Sequence, residues 1–204
     1  MRSIVLLSGG IDSTVALAWA LSDGPATGLS VDYGAHANRE EIRAASRVAH
    51  RLGAEHLVTE CYFIADHFRS ALLPGGAPIP EGPGGEPEQA ATIVPFRNGI
   101  LLSLAVGLAA SRGAERVVIG CQGGDFAVYP DCRPGFLALF GRAAQAGTGY
   151  TLDLAAPFLG MTKAQVVALG RELDAPLSLT YSCYLGAPAP CGRCAACRDR
   201  EAVL

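Results

Sequence analysis

Short apolar runs alternate along this chain with longer segments of helical periodicity. The first run, Arg2–Leu7, reads R-S-I-V-L-L and ends before a serine and two glycines, which is typical of a buried strand. The pattern predicts strands at residues 2–7, 27–33, 54–62, 116–120 and 151–156. It predicts helices at residues 13–21, 38–52, 64–73, 99–112 and 135–145, and a last helix from 162 to about 174.

Strands that alternate with helices need crossover connections, and these favour a parallel sheet that is covered on both faces. We therefore expect an α/β fold, with an open, mostly parallel five-stranded sheet and helices on both of its faces. One domain is expected to span residues 1–204. Residues 74–90 are rich in glycine and proline, so we expect a flexible loop there, of the kind that often serves as a lid.

The composition is that of a compact globular protein. The chain has 204 residues, of which 50% are hydrophobic and 17% are charged, so it can bury a core of ordinary size. A formal net charge of −3 offers no general basic surface, and no direct nucleic-acid partner is expected. The longest apolar stretch, residues 100–110, is too short for a membrane span, and no targeting segment is visible. We expect a cytoplasmic protein.

The segment between the first strand and the first helix reads S-G-G-I-D-S-T, at residues 8–14. Its glycines allow close backbone approach to a ligand, and the start of the following helix offers free N–H groups to an anion. It lacks the lysine of a Walker loop. It resembles the PP-loop, S-G-G-x-D-S, of the ATP pyrophosphatase superfamily. That resemblance implies that ATP phosphates and Mg²⁺ are held by Ser8, Gly9, Gly10, Asp12, Ser13 and Thr14.

The second strand ends in Asp32-Tyr33-Gly34. The superfamily usually places contacts to adenine at this point, so Asp32 and Tyr33 are candidate ATP-binding residues. A simple turn is the alternative reading of the same three residues.

Four of the seven cysteines crowd the last part of the chain, and they are Cys183, Cys191, Cys194 and Cys197. The spacing Cys-x₇-Cys-x₂-Cys-x₂-Cys can close a tetrahedral site, so we expect a small C-terminal segment, 183–197, that binds structural Zn²⁺. An iron–sulfur cluster is the main rival, because C-x₂-C-x₂-C also occurs in such sites. Free buried cysteines are the third reading.

With both motifs in place, the chain resembles the 7-cyano-7-deazaguanine synthase family. The matching pieces are L-L-S-G-G-I-D-S-T, V-D-Y-G at 31–34, V-P-F-R-N at 94–98, Y-P-D-C-R-P-G-F at 129–136, A-P-F-L-G-M-T-K-A at 156–164 and the cysteine-rich end. The family implies an ATP-dependent C–N ligase. It adenylates the carboxylate of 7-carboxy-7-deazaguanine, joins ammonia to give an amide, and then forms the nitrile, with release of AMP and pyrophosphate.

The resemblance also implies residue roles and an assembly. Arg97 is the expected clamp on a phosphate, Asn98 is a polar contact beside it, and Lys163 reaches the phosphates. The deazaguanine pocket is expected to include Asp125, Tyr129, Asp131 and Arg133, with an aspartate for the N–H edge of the base and Arg133 for the carboxylate. The residues expected to act in catalysis are Asp12, Arg97, Lys163, Asp131 and Arg133. A homodimer is expected.

Two stretches depart from the family pattern and keep other functions open. Ala35 follows D-Y-G where the family usually has glutamine, and Asp125-Phe126-Ala127-Val128 replaces D-[FY]-S-G. One alternative is therefore a defence-system relative that joins the activated deazaguanine to a protein amino group, or stops at the amide. Another PP-loop enzyme, such as a tRNA sulfurtransferase, would need a tRNA-binding extension. A non-enzymatic zinc-knuckle protein would not need the intact S-G-G-I-D-S.

Overall fold

The computed structural model describes residues 1–82 and 89–204, except for the side chains of residues 126 and 127. The strands are β1 (Ser3–Leu6), β2 (Ala26–Asp32), β3 (Glu55–Glu60), β4 (Arg116–Val118) and β5 (Asp153–Ala155). The helices are α1 (Ile11–Asp23), α2 (Asn38–Leu52), α3 (Phe63–His67), α4 (Arg97–Arg112), α5 (Asp125–Val128), α6 (Pro134–Thr148), α7 (Lys163–Glu172) and α8 (Ala195–Glu201). Short 3₁₀ turns cover Pro130–Cys132 and Leu177–Leu179.

The five strands form one sheet in the order β3-β2-β1-β4-β5, and every neighbouring pair is parallel. The predicted α/β fold and its sheet are therefore confirmed. The chain leaves β1 toward one edge through β2 and β3, and it later crosses to the other side of β1 through β4. This reversal makes β1 and β4 the switch point of the sheet, where ligands of open α/β folds bind beyond the carboxyl ends of the strands.

The core lies on both faces of the sheet, as the alternation of side chains along β1 requires. Val5 and Leu7 pack in a buried cluster with α1, α2 and α7. Ile4 and Leu6 point to the opposite face, where they pack in a second cluster with α4 and α6. Because β1 is buried on both faces, it reads as a continuous apolar run.

One predicted helix is wrong in its extent. The pattern favoured a helix over 64–73, but α3 ends at His67, because Phe68 is extended with φ −97° and ψ 166°. The following residues turn instead, and the Leu72 N–H donates to the Ser70 hydroxyl at 3.2 Å. Elsewhere the predicted helices are present with small shifts at their ends, and α7 begins with the predicted capping box of Thr162 and Gln165.

Two further expectations concern the loop at 74–90 and the absence of a membrane span. The glycine- and proline-rich loop expected at 74–90 lies partly outside the described residues, which stop at 82 and resume at 89. No helix in 1–82 or 89–204 is long and apolar enough to cross a membrane.

Candidate functional site

A cleft of about 1030 Å³ opens at the carboxyl ends of the strands. Its walls come from the loops after β1 and β4, from the end of β2, and from the starts of α1, α4 and α7. The C-terminal segment closes one side with residues of 181–184 and of α8. The cleft therefore lies at the switch point of the sheet, where the fold predicts a ligand site.

The loop after β1 is held tightly against α2. Gly9 has φ +83°, and a Cβ atom there would lie 2.6 Å from the Ala45 nitrogen and closer still to the Glu41 carbonyl oxygen. Only glycine fits this position, because the approach is made by backbone atoms of the neighbouring helix. The Tyr181 N–H donates to the Gly9 carbonyl at 2.9 Å, so the C-terminal segment braces the loop from the other side.

The hydroxyl groups of this loop form a small network at the start of α1. The Ser8 and Ser13 hydroxyl oxygens lie 3.1 Å apart, and the Gly9 N–H donates to the Ser13 hydroxyl at 3.2 Å. Within 1–82 and 89–204, no side chain caps the first turn of α1 at Gly10. Since Ser8, Gly10 and Ser13 line the cleft, the helix N-terminus is available to an anion. Of the predicted phosphate residues, Gly9 and Thr14 lie behind this surface rather than on it.

Asp12 and Lys163 form an ion pair across the cleft, from residues that lie 151 positions apart in the chain. Lys163 is the first residue of α7, and the capping box of Thr162 fixes its place. Burial raises the pKa of Asp12, and the charge of Lys163 opposes that shift. The second carboxylate oxygen of Asp12 is buried without a hydrogen-bond partner among the described residues. A hard cation prefers such an oxygen, so Asp12 fits a Mg²⁺ ligand.

Two more aspartates lie near this pair, and the four residues Asp12, Asp125, Lys163 and Asp199 are named here the lysine group. Asp125 accepts from the Gln122 N–H at 2.9 Å and from the Gln122 side-chain amide at 3.3 Å. Burial raises the pKa of Asp125 and of Asp199, while Lys163 lowers both. One lysine therefore faces several carboxylates here, a charge pattern that accommodates a cation together with polyphosphate.

A second set of residues, named here the arginine group, consists of Tyr33, Glu41, Arg97, Tyr129 and Tyr184, all of which line the cleft. Burial would lower the pKa of Arg97, but Tyr33, Asp131 and Tyr129 raise it by more, and the net shift is upward. The guanidinium therefore stays charged, with the Tyr33 hydroxyl 3.5 Å away. Burial raises the pKa of Tyr33 and Tyr184, so both hydroxyls are neutral donors.

Arg97 is the first residue of α4, and Asp131 fixes the start of that helix from another segment. Asp131 accepts from the Asn98 N–H at 2.7 Å and from the Asn98 side-chain amide at 3.4 Å, so it satisfies the start of α4. The Asn98 amide also lies 3.1 Å from the Cys132 thiol. The Asp131 carboxylate is thus engaged with α4, and Asp131 does not line the cleft.

Two other predicted residues also lie away from the cleft surface. Asp32 accepts from the Gly34 N–H at 3.0 Å and from the Tyr62 hydroxyl at 3.2 Å, which stabilises the turn after β2. Arg133 is exposed at the start of α6. Among the basic residues of 1–82 and 89–204 that line the cleft, Arg97 is therefore the one that contacts Tyr33.

The four C-terminal cysteines converge on one point, and their sulfur atoms all lie within 4.8 Å of one another. The Cys191 and Cys197 sulfurs are 3.9 Å apart, against about 3.8 Å for two thiolates on one tetrahedral Zn²⁺. Backbone N–H groups of Arg193 and Cys194 lower the pKa of Cys191 to about 6, which favours the thiolate that a metal needs. The cluster could therefore hold a metal ion, and we call it the cysteine knuckle.

The cysteine knuckle contacts both the cleft and the described part of the loop at 74–90. Its helix, α8, supplies Ala196, Asp199 and Arg200 to the cleft wall. On the other side, Glu81 pairs with Cys194 in an antiparallel bridge, and the Gly82 N–H donates to the Arg193 carbonyl at 3.0 Å. The helix of the knuckle thus forms part of the cleft wall.

The cleft residues that sequence reasoning missed include Glu41, Tyr184 and Asp199. Glu41 reads as the acidic first turn of an amphipathic helix, and Tyr184 and Asp199 read as knuckle residues. Tyr184 directly follows Cys183, within the matched S-C-Y, and this was the available signal.

Comparison with known proteins agrees with the geometry. A family model described as Queuosine biosynthesis protein QueC matches residues 2–204. The chain belongs to this family. A 7-cyano-7-deazaguanine synthase of Desulfotalea psychrophila is 42% identical over 203 residues, which cover 99% of this chain and 93% of the relative. One of Porphyromonas gingivalis is 41% identical over 202 residues, covering 99% and 91%. The predicted family is confirmed, as is the prediction of an enzyme of this kind.

Two solved structures share the fold at low sequence identity. NMN synthetase from Francisella tularensis superposes with a TM-score of 0.52 at 21% identity, covering 94% of this chain and 70% of that one. NH3-dependent NAD synthetase from Campylobacter jejuni gives a TM-score of 0.51 at 18% identity, covering 87% and 66%. Both comparisons support the PP-loop fold.

Proposed function

We propose that this chain converts 7-carboxy-7-deazaguanine, ammonia and ATP into 7-cyano-7-deazaguanine, with AMP and pyrophosphate as co-products. The observation that carries the proposal is that one cleft contains two different groups of side chains, the lysine group and the arginine group. The lysine group adjoins a loop suited to phosphates, and the arginine group offers aromatic rings, a half-buried guanidinium and a carboxylate. The curated relatives, which the chain matches over nearly its whole length, carry the same activity in their names.

In the first half of the reaction, the substrate carboxylate attacks the α-phosphorus of ATP and pyrophosphate leaves. Ser8, Ser13 and the first N–H groups of α1 bind the departing pyrophosphate, and Lys163 neutralises part of its charge. Asp12 would hold a Mg²⁺ ion through its unpartnered carboxylate oxygen, and that ion would supply further stabilisation of the phosphate charge. Ammonia then attacks the acyl carbon, AMP leaves, and a proton is released, giving the amide.

In the second half, the amide oxygen attacks the α-phosphorus of another ATP, and pyrophosphate leaves again. Loss of AMP and of the remaining amide protons leaves the nitrile. Arg97 serves both halves, because its guanidinium can bind the carboxylate or amide oxygen and the α-phosphate that becomes attached to it. We assign this role to Arg97 rather than to Arg133, since Arg97 lines the cleft and Arg133 does not.

Zn²⁺ in the cysteine knuckle and a homodimeric assembly are also part of the proposal. The sulfur spacing and the lowered pKa of Cys191 support the zinc site, and its role is to hold α8 against the cleft. Elemental analysis of the purified protein would test the metal, with one zinc per chain expected and iron as the contrary result. Light scattering would test the dimer.

The reaction itself is tested by mass spectrometry with purified protein, Mg²⁺, ATP, 7-carboxy-7-deazaguanine and ammonium. The nitrile with two AMP per product is the expected result. An amide with one AMP would show that the reaction stops at the amide. An adenylate that reacts only with a protein amine would show that this member joins the deazaguanine to a protein. No AMP with any amine would refute the proposed function.

A further inference from the structure

Glu41 is a carboxylate of the arginine group that the proposed chemistry does not yet use. It lies in the first turn of α2 and lines the cleft beside Arg97 and Tyr33. The Asn38 side-chain amide donates to one Glu41 oxygen at 3.2 Å. Asn38 is itself fixed, because its oxygen accepts the N–H groups of Tyr33 at 3.0 Å and Ala35 at 2.9 Å. The end of β2 therefore holds the Glu41 carboxylate in one orientation.

The other carboxylates of this region lie in the lysine group or at the start of α4. In residues 1–82 and 89–204, the acidic residues that line the cleft are Asp12, Glu41, Asp125 and Asp199. Asp12 is paired with Lys163, both oxygens of Asp125 accept from Gln122, and Asp199 belongs to the lysine group. Asp131 holds the start of α4. Both oxygens of Asp125 and of Asp131 thus accept hydrogen bonds from the protein, whereas Glu41 accepts one from Asn38 among the described residues and is the carboxylate of the arginine group.

A guanine-type base has a recognition edge that suits one carboxylate. Its N1–H and 2-amino groups are adjacent donors, and an ionised carboxylate is an acceptor with two oxygens. Adenine presents an acceptor, N1, next to its amino group, so the same carboxylate cannot pair with both atoms. Burial raises the pKa of Glu41, and the charge of Arg97 opposes that shift and favours the ionised form.

We propose that Glu41 determines specificity for the base by accepting hydrogen bonds from the N1–H and 2-amino groups of the deazaguanine. This assignment rests on the proposed function, because it concerns the substrate of that reaction. Arg97 then faces the adjacent edge, which carries the 6-oxo group and the 7-carboxylate. One acidic and one basic side chain therefore read the two edges of the same base, with the tyrosine rings around it.

The main rival is a contact between Glu41 and the ribose of ATP, since a carboxylate can also accept from two vicinal hydroxyls. The two assignments differ in which ligand loses affinity when Glu41 changes. They also differ in the response to removal of a single amino group from the base, which leaves ATP untouched.

The test compares binding of 7-carboxy-7-deazaguanine with that of its analogue without the 2-amino group. Calorimetry is done in the presence of α,β-methylene-ATP, which cannot transfer AMP to the substrate. It therefore measures affinity without turnover. Wild-type protein should bind the parent base about 10- to 100-fold more tightly than the analogue. In Glu41→Gln this ratio should fall to within a few-fold of unity, while the affinity for α,β-methylene-ATP stays unchanged.

Glu40→Gln is the matched control. Glu40 lies in the same turn of α2, is paired with Arg43 at 2.7 Å, and does not line the cleft. It makes the same charge change, and it should keep the wild-type ratio. If Glu41→Gln unfolds, Glu41→Asp keeps the charge but shortens the reach, and it should lose the ratio in the same way.

The outcomes separate the two proposals. Wild-type protein that binds the base and discriminates against the analogue, together with a Glu41→Gln variant that discriminates equally well, would overturn the role of Glu41 and leave the proposed function standing. Weaker α,β-methylene-ATP binding with an unchanged ratio would assign Glu41 to the ribose and overturn it as well. Wild-type protein that binds neither base would refute the proposed substrate, and the assignment of Glu41 with it.

Discussion

Replacing Gly9 by alanine tests the packing that links the phosphate loop to the helix of Glu41. The new Cβ would meet the backbone of α2 at Ala45 N and Glu41 O, and no side-chain rotation can relieve a clash between backbone atoms. Gly53 provides the matched control, because it has a positive φ of +68° at the end of α2 but open space around its Cβ position. The two substitutions therefore share the backbone cost and differ in the clash.

The expected magnitudes follow from these two contributions. A non-glycine residue in the left-handed region costs about 1–2 kcal/mol, and this is the whole effect expected for Gly53→Ala. An extra carbon forced into a packed contact costs a further ~1–3 kcal/mol or more, so Gly9→Ala should lower the free energy of unfolding by about 2–5 kcal/mol. For a chain of this size each kcal/mol corresponds to about 2–4 °C in melting temperature.

The assay is denaturant or thermal unfolding of the wild type and the two variants, followed by titration with α,β-methylene-ATP. Gly9→Ala should bind this nucleotide more weakly even where it is folded, because relief of the clash moves the loop away from α2. Gly53→Ala should bind it like the wild type. Equal destabilisation by the two substitutions, with unchanged nucleotide affinity, would refute the inferred backbone contact.

Three further predictions concern the two charged groups and the knuckle. Lys163→Met should lower the rate of AMP formation about 100-fold or more, because pyrophosphate loses its positive partner. Asp12→Asn in the same background should lower the rate further, because the Mg²⁺ ligand is lost as well, and a kinetic double-mutant comparison that shows no additional loss would contradict that role of Asp12. Cys194→Ser should lower both the zinc content and the melting temperature. Cys61→Ser, which lies outside the knuckle, should change neither. An unaltered melting temperature in a metal-free Cys194→Ser variant would contradict a structural role of the zinc. Because burial raises the pKa of Glu41, the folded protein loses stability as pH rises from about 4 through that pKa. Relative to the wild type, Glu41→Gln should therefore become more stable over the same range. A difference in unfolding free energy that does not change with pH would argue against burial of the charge.

Local features of the chain could be predicted because the residues involved are close in sequence. The apolar run before Ser8, the glycines after it and the spacing of the four cysteines each fit within a few residues, and the backbone geometry of a strand, a turn or a metal loop is set on that scale. The parallel sheet followed in the same way, since alternating strands and helices allow few topologies. Helix ends were predicted less well, because the end of α3 depends on turn contacts around Ser70 and Leu72.

The assignment of side chains to the cleft was decided by the tertiary structure. Asp131 and Asp125 both read as base-binding residues, but in the fold Asp131 holds the start of α4 and does not line the cleft, whereas Asp125 lines the cleft and accepts from Gln122. Glu41, a residue without any motif, faces the cleft because Gly9 lets α2 approach the loop and Asn38 orients the carboxylate. The chain alone determines which local structures form. Which charges remain unpaired and face a ligand depends on contacts between residues far apart in sequence, and these exist only once the sheet is assembled.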